Sequence, residues 1–343
     1  MAKIRAALLH LGQNMWGEYL APGETRDPSL RYTGTRLRMN ESVWRELTAL
    51  MQRRRYTHAV IDLGEGMVFP SHPELAVEGS WSADRMRAEV ARLKAMGIEA
   101  IPKLNFSTCH DGWLKEYGRM VATPKYYEVV RDVIADACAV FGSPRYFHLG
   151  LDEESPLNQR GNALVVVRQG ELLWHDIFFY LDCLERQGAR PIAFTGGLAR
   201  SLGDEFYRRM PKTVIDNVGM YGHGHDRAKL LAECARRKEG PGSVLRLRAQ
   251  TFDMLERMAK EGRDILSCTS NYVSKGKLPK SATGENYPQD RESVAWLHAL
   301  LKRTIPDEHY LGGMVAPWGE IFTSQRHYWE SAINQLADAW DGV

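Results

Sequence analysis

Three consecutive acidic residues, Asp152, Glu153 and Glu154, follow a short apolar run that ends at Leu151. Ionised carboxylates repel one another, so a cluster at the end of a strand is costly to assemble without a chemical use. Such a cluster suits the hydrolysis of a sugar acetal, in which one carboxylic acid protonates the leaving oxygen and a second group supports the developing cation. A solvated loop that caps the next helix could carry the same residues.

Regular strand geometry places one restriction on this chemistry. Neighbouring residues of a strand point to opposite faces. Asp152 and Glu153 can therefore share one pocket only if the strand loses its regular alternation where they begin.

A second segment, residues 312–320, carries Trp318 and Glu320 after two glycines. An indole ring can pack against the apolar face of a sugar, and a carboxylate can accept hydrogen bonds from its hydroxyls. The same pair could instead be a core tryptophan and a helix-capping glutamate. The residue types are thus compatible with a carbohydrate site but do not require one.

Eight short apolar runs bounded by turn signals are predicted to be buried strands. They are residues 4–11, 57–63, 99–105, 146–151, 191–195, 213–220, 265–269 and 314–318. Amphipathic helices are predicted between them, with N-caps at Asn40, Ser82 and Thr123. This alternation implies parallel strands joined by right-handed crossovers, and eight units predict a closed (β/α)8 TIM barrel in the α/β class, with residues 1–343 as a single domain. An open doubly wound sheet is the alternative, but its usual glycine-rich first turn is absent from residues 10–16.

The loops that follow the predicted strands are long, whereas the links that lead into the strands are short. Active sites of such barrels lie at the C-terminal ends of the strands, so polar and aromatic residues of the long loops are candidates for substrate contacts. After the first strand these are Asn14 and Trp16, and no arginine is expected at this rim.

The two motif segments together resemble the catalytic barrel of glycoside hydrolase family 20, the β-N-acetylhexosaminidases. The fourth strand of that family carries His-x-Gly-Gly-Asp-Glu, which His148, Gly150, Asp152 and Glu153 match, with Leu151 in place of the second glycine. Its eighth strand carries Gly-Gly-x-x-x-x-Trp-x-Glu. The residues that match this second motif are Gly312, Gly313, Trp318 and Glu320. A family Pro-Gly-His segment after the third strand is similar to the segment that ends in His110, without the Pro-Gly.

The resemblance implies that Glu153 is the general acid/base and that Asp152 orients the 2-acetamido group of the substrate. In this mechanism the acetamido oxygen attacks the anomeric carbon, so the enzyme needs no nucleophile of its own. Tyr272 would contact the acetamido group, Trp318 would form a wall of the pocket and Glu320 would bind hydroxyls. The substrate-binding candidates are His110, His148, Tyr272, Trp318, Glu320, Asn14 and Trp16.

Two other functions remain open at this point. A metal-dependent sugar isomerase or hydrolase on the same barrel could use His148, Glu153 and the His-x-His pair of His223 and His225. A carbohydrate-binding barrel without catalysis is the other. For the leading interpretation we expect no metal and no cofactor.

Composition narrows the classes of protein further. The 343 residues include 45 Lys+Arg and 43 Asp+Glu, a net charge of +2, with 44% hydrophobic and 26% charged residues. These values argue against a disordered chain and against a nucleic-acid binder with a broad basic surface. The five cysteines are widely spaced and no signal peptide is recognised, which predicts a cytoplasmic protein. No apolar run reaches roughly 18 residues, so we expect no membrane-spanning segment. The expected partner is a carbohydrate substrate, whose sugar and linkage the sequence does not specify; nor does it specify the oligomeric state.

Overall fold

Eight parallel strands close into a barrel in the order β1 to β8. The computed structural model describes residues 3–15, 17–18, 32–240, 242–271 and 292–342. The strands are β1 Ile4–His10, β2 His58–Asp62, β3 Glu99–Lys103, β4 Tyr146–His148, β5 Arg190–Ala193, β6 Ile215–Gly219, β7 Ile265–Thr269 and β8 Tyr310–Val315. The predicted (β/α)8 barrel is confirmed, and the open sheet is wrong because β1 pairs with β8.

The closure of the barrel depends on Gly312. This residue pairs with Ile4 and has a φ of 135°, and a Cβ atom there would lie 2.0 Å from the carbonyl oxygen of Ile4. Only glycine fits so close an approach. Gly312 and Gly313 lie inside β8, which begins at Tyr310 rather than at residue 314 as predicted.

Ten α-helices lie within the described residues. They are α1 Glu41–Arg53, α2 Ala83–Ala95, α3 Pro124–Val140, α4 Gly170–Arg186, α5 Gly196–Leu202, α6 Asp204–Arg209, α7 Arg227–Arg237, α8 Val244–Lys260, α9 Ser293–Thr304 and α10 Arg326–Asp341. The predicted N-caps are confirmed, since the side chains of Asn40, Ser82 and Thr123 each accept a hydrogen bond from the backbone of the first turn. Among these helices the longest has 17 residues, and none has the length and apolar character to cross a membrane.

The interior of the barrel changes character along its axis. Its lower part is apolar, with buried side chains such as Ile4, Leu8 and Met314. At the C-terminal ends of the first four strands the side chains are polar and still buried. These residues are His10, Asp62, Lys103 and His148. A polar layer therefore separates the apolar core from the rim that carries the acidic cluster.

Candidate active site

The backbone leaves strand geometry immediately after His148, where β4 ends. Gly150, Leu151 and Glu153 all have positive φ angles, of 70°, 69° and 61°. This is the irregularity that the sequence required for Asp152 and Glu153 to face one pocket. The prediction that β4 continues to residue 151 is wrong, because these left-handed residues cannot continue a strand. Leu151 occupies its left-handed position without the freedom of a glycine, at a cost of about 1–2 kcal/mol.

Asn105 organises this turn. Its Oδ1 atom accepts hydrogen bonds at 3.1 Å from the backbone N–H groups of Leu151 and Ser107, and its Nδ2 donates to Oδ1 of Asp152 at 2.8 Å. A Cβ atom on Gly150 would lie 2.0 Å from Asn105 Oδ1, so a side chain there would displace the amide. The glycine and the asparagine together fix the orientation of Asp152.

His110 connects the two carboxylates. Its Nε2 atom lies 3.6 Å from Oδ2 of Asp152 and 3.5 Å from Oε2 of Glu153. Its Nδ1 atom lies 3.0 Å from the carbonyl oxygen of Met15, to which it donates. The structure therefore brings together three of the predicted site residues: His110, Asp152 and Glu153.

The surroundings of His110 favour its protonated form. Burial opposes a charge on the ring, but the neighbouring Cys109, the Asp152 carboxylate and a hydrogen bond towards Glu153 raise the pKa of His110 well above its ordinary value. Burial raises the pKa of the Cys109 thiol.

The two carboxylates differ in exposure. The side chain of Asp152 is 21% exposed and that of Glu153 is 60% exposed. A general acid with a raised pKa usually lies in a partly desolvated environment. Within the described part of the chain, Glu153 faces solvent at the mouth of the barrel.

Glu154, the third acid, is held by Arg168 and has a different environment. The Arg168 guanidinium donates to both carboxylate oxygens, at 2.6 Å from Nη2 to Oε2 and at 3.0 Å from Nε to Oε1. Burial would raise the pKa of Glu154, but the hydrogen bonds and charge of Arg168 lower it. Arg168 also binds Asp176 at 3.0 Å. Sequence reasoning missed this buried network, whose members lie 14 and 8 residues from Arg168.

Trp318 and Glu320 lie on the opposite side of the rim. Trp318 has a φ of 58° and is partly buried, and its ring centroid lies 5.8 Å from that of His10 and 6.0 Å from that of Phe194. Glu320 is buried, and its Oε1 lies 3.8 Å from Nη1 of Arg38.

Arg38 corrects the expectation that no arginine reaches this rim. It comes from the long loop between β1 and α1, and its Nη2 donates to the carbonyl oxygen of Gln13 at 3.1 Å. Its side chain is 15% exposed beside the carboxylate of Glu320. Arg38 was not predicted because it lies 25 residues after Gln13, whereas the prediction considered only the residues that directly follow the strand.

Asn14 connects two parts of the loop between β1 and α1. Its Nδ2 donates to the carbonyl oxygen of Gly34 and its Oδ1 accepts from the N–H of Gly34, both at 2.8 Å. These bonds fix the part of the loop that carries Arg38, so Asn14 contributes to the site by positioning this arginine. Trp16 and Tyr272, two further predicted contacts, lie outside the described residues.

His148 lies beneath the acidic turn and is fully buried. Its Nδ1 accepts from the N–H of Gly150 at 3.0 Å and its Nε2 donates to Oδ1 of Asn217 at 3.1 Å. Burial, reinforced by the positive charge of Lys103, lowers the pKa of His148 to about 3. The ring is therefore neutral and supports the turn from below.

An ion pair between Lys103 and Asp62 lies beside His148 in the same buried layer, at 2.5 Å. Burial would raise the pKa of Asp62, but the charge of Lys103 and a hydrogen bond from His10 lower it to about 2. The pair was not predicted, although Asp62 and Lys103 end adjacent strands.

Tyr221, two residues after β6, also faces the acidic cluster. Burial raises the pKa of its phenol well above the ordinary value, and the negative charges around it, including Glu153 and Asp152, add to this effect. The phenol is therefore a neutral hydrogen-bond donor at the rim. Tyr221 directly follows the predicted sixth strand, in a loop where the sequence predicted substrate contacts.

The His-x-His pair does not join the acidic cluster. His223 contacts Glu292 at 3.3 Å, and Nε2 of His225 lies 3.1 Å from the carbonyl oxygen of Tyr221. Among the described residues, the group of metal-ligating side chains close enough to hold one ion is His110, Asp152 and Glu153. The set of His148, Glu153, His223 and His225 is therefore not assembled.

No protein-family model and no curated protein sequence matches the chain. Solved structures do match. The N-acetyl-β-hexosaminidase of Streptomyces plicatus in complex with Thio-NAglucal is 13% identical over 97% of this chain, with a TM-score of 0.60. The exo-β-N-acetylglucosaminidase of Vibrio harveyi in complex with N-acetylglucosamine is 15% identical over 99% of this chain, with a TM-score of 0.56.

The lengths of the matched chains differ. This chain covers 63% of the Streptomyces enzyme and 57% of the Vibrio enzyme. It covers 99% of Dispersin B, which is 13% identical over 97% of this chain with a TM-score of 0.57. The resemblance to family 20 that the two motifs indicated is thus confirmed for the fold: the chain has the fold of the (β/α)8 barrel in β-N-acetylhexosaminidases of glycoside hydrolase family 20, at 12–13% sequence identity.

Proposed function

We propose that the protein is a glycoside hydrolase that removes a terminal 2-acetamido sugar, in the manner of a β-N-acetylhexosaminidase. One observation carries the proposal. The adjacent carboxylates of Asp152 and Glu153 meet at Nε2 of His110, at 3.6 and 3.5 Å, on a fold shared with N-acetylhexosaminidases. The residues 1–343 would act as one catalytic domain.

Glu153 acts as the general acid in this mechanism. Its carboxyl group lies at the mouth of the barrel, where the leaving group of a terminal sugar would extend into solvent. It donates a proton to the glycosidic oxygen as the bond to the anomeric carbon breaks. His110 acts as a positioning residue, because it holds the carboxyl group from the side opposite to solvent.

Asp152 orients the nucleophile of the substrate. Its Oδ1 atom is held by Asn105 and its Oδ2 atom faces His110, so the carboxylate has a fixed direction. It accepts a hydrogen bond from the N–H of the 2-acetamido group, whose oxygen attacks the anomeric carbon and forms a cyclic intermediate. Glu153 then takes a proton from a water molecule, and the resulting hydroxide opens the ring with overall retention.

Arg38, Glu320 and Trp318 bind the non-reacting part of the sugar. Arg38 and Glu320 present a donor and an acceptor 3.8 Å apart, a spacing at which one or two hydroxyl groups can bond to both. The indole of Trp318 provides an apolar wall. Tyr221 adds a neutral donor close to Asp152.

A panel of aryl glycosides tests the proposal. The chain should hydrolyse aryl N-acetyl-β-glucosaminide or N-acetyl-β-galactosaminide, and the activity should survive EDTA. Loss of activity in EDTA would instead favour a metal-dependent enzyme. Binding of the sugars without turnover would favour a non-catalytic carbohydrate-binding barrel.

A further inference from the structure

Three ligand atoms of different side chains converge at the mouth of the barrel. The Nε2 atom of His110 and one carboxylate oxygen each of Asp152 and Glu153 all lie within 4.8 Å of one another. One imidazole and two carboxylates are common ligands of zinc. The proposed hydrolysis requires protons at this position but no metal ion.

The two distances from His110 to the carboxylates are close to those between ligands of a tetrahedral ion. With bonds of about 2.0–2.1 Å, neighbouring ligands of a tetrahedral Zn²⁺ lie about 3.3–3.4 Å apart. The distances of 3.6 and 3.5 Å from His110 to Asp152 and Glu153 are close to this span. Octahedral Mg²⁺ would require shorter spans of about 3.0 Å and an all-oxygen set of ligands.

Outer hydrogen bonds orient two of the three ligands. The carbonyl oxygen of Met15 accepts the proton of Nδ1, so Nε2 is the atom of His110 that binds the ion, and it releases its own proton when it does so. Asn105 binds Oδ1 of Asp152, which leaves Oδ2 directed to the histidine. Partners of this kind fix the tautomer and direction of ligands in metal sites. Within the described part of the chain, the side chain of Glu153 is 60% exposed, so an ion can reach it from solvent.

From this arrangement we infer that His110, Asp152 and Glu153 form a three-ligand site for Zn²⁺ and that the bound ion blocks the hydrolysis. The ion would occupy the oxygens that the general acid and the orienting residue must present to the sugar. The blocking effect rests on the proposed glycosidase function, whereas the binding of the ion does not.

Calorimetric titration of the chelator-stripped chain with ZnCl₂ tests the site. One ion should bind per chain, and His110→Asn and Asp152→Asn should each raise the dissociation constant at least about tenfold. His72→Asn is the matched control. His72 also contacts two carboxylates, Glu74 at 3.0 Å and Asp132 at 3.2 Å, but through different ring nitrogens, so these groups cannot converge on one ion. Melting temperatures of all variants establish that they are folded.

Co²⁺ provides a readout that is independent of activity. The intense visible absorption of four-coordinate cobalt should appear with the unsubstituted chain and with His72→Asn, and should be lost in His110→Asn. Absence of saturable zinc binding, or binding that His110→Asn leaves unchanged, would overturn the site. Zinc that binds there and increases glycoside turnover would overturn the blocking role. If no glycoside is hydrolysed but zinc binds at these residues, the proposed function fails and the metal site stands.

Discussion

Glu153 and Glu154 are adjacent in the chain, but they contact different partners and differ in exposure. Glu154 lies against the buried guanidinium of Arg168, 2.6 Å from Nη2, with a side chain that is 12% exposed. Glu153 lies 3.5 Å from His110 and its side chain is 60% exposed. An acid held as a carboxylate by a buried arginine cannot supply a proton at neutral pH. Of these two residues, Glu153 is therefore the one available for acid catalysis.

Replacement of Glu153 by Gln should lower turnover of a natural glycoside by at least about a hundredfold, because the leaving oxygen loses its proton donor. An aryl glycoside with a good leaving group should lose less, since its oxygen needs little protonation. Steady-state kinetics on both substrates, with circular dichroism as a control for folding, measure this difference. Near-normal turnover of the natural glycoside would assign the acid elsewhere.

Glu154→Gln should act mainly on stability. The change leaves the buried charge of Arg168 with only part of its compensation, at a cost of about 3 kcal/mol in the free energy of unfolding. Urea unfolding measures this loss, and the folded fraction should keep substantial activity. A variant with normal stability and no activity would move the catalytic role to Glu154.

Glu320→Gln should weaken substrate binding. The amide replaces the charged acceptor next to Arg38, so KM should rise about tenfold with little change in kcat for an aryl substrate. Glu78→Gln is the matched control, because Glu78 pairs with Arg36 in the same region at 2.6 Å but both side chains are exposed. Equal kinetics for the two variants would argue against a sugar contact at Glu320.

Stability should fall as the pH is lowered below about 6.5, partly because of His148. Its pKa is lowered from 6.5 to about 3 in the folded chain, so the neutral form stabilises the fold above pH 6.5. Between these two pH values the unfolded chain binds a proton that the folded chain does not, which costs up to about 1.4 kcal/mol per pH unit. The free energy of unfolding, measured with urea at pH 7, 6 and 5, should change less with pH in His148→Gln than in the unsubstituted chain. The same pH dependence of the free energy of unfolding in both chains would contradict the assignment of His148 as a neutral, buried histidine.

The barrel could be predicted from sequence because its signals are local. Apolar runs that predict strands alternate along the chain with amphipathic segments that predict helices, and capping residues such as Ser82 mark where the helices begin. This alternation is typical of parallel strands joined by helices. The start of β8 was predicted less well, because the apolar run was taken to begin at residue 314, after Gly312 and Gly313. The role of Gly312 depends on the approach of Ile4, more than 300 residues away.

The site was predictable where its residues are contiguous. Asp152 and Glu153 adjoin a strand end, and their shared pocket required a break in regularity, which the structure has at Gly150 and Leu151. Arg38 and Arg168 were missed because long loops bring them to their partners. No local sequence pattern predicts the ion pair between Arg168 and Glu154 or the approach of Arg38 to Glu320.

The requirement for a 2-acetamido group is the most direct test of the account. The measurement is the ratio of kcat/KM for an aryl N-acetyl-β-glucosaminide and the corresponding β-glucoside, in the unsubstituted chain and in Asp152→Asn. The account predicts a ratio of at least about a hundred that Asp152→Asn sharply reduces, because the acetamido group is the nucleophile and Asp152 orients it. Hydrolysis of both glycosides at similar rates, with the ratio unaffected by Asp152→Asn, would contradict it.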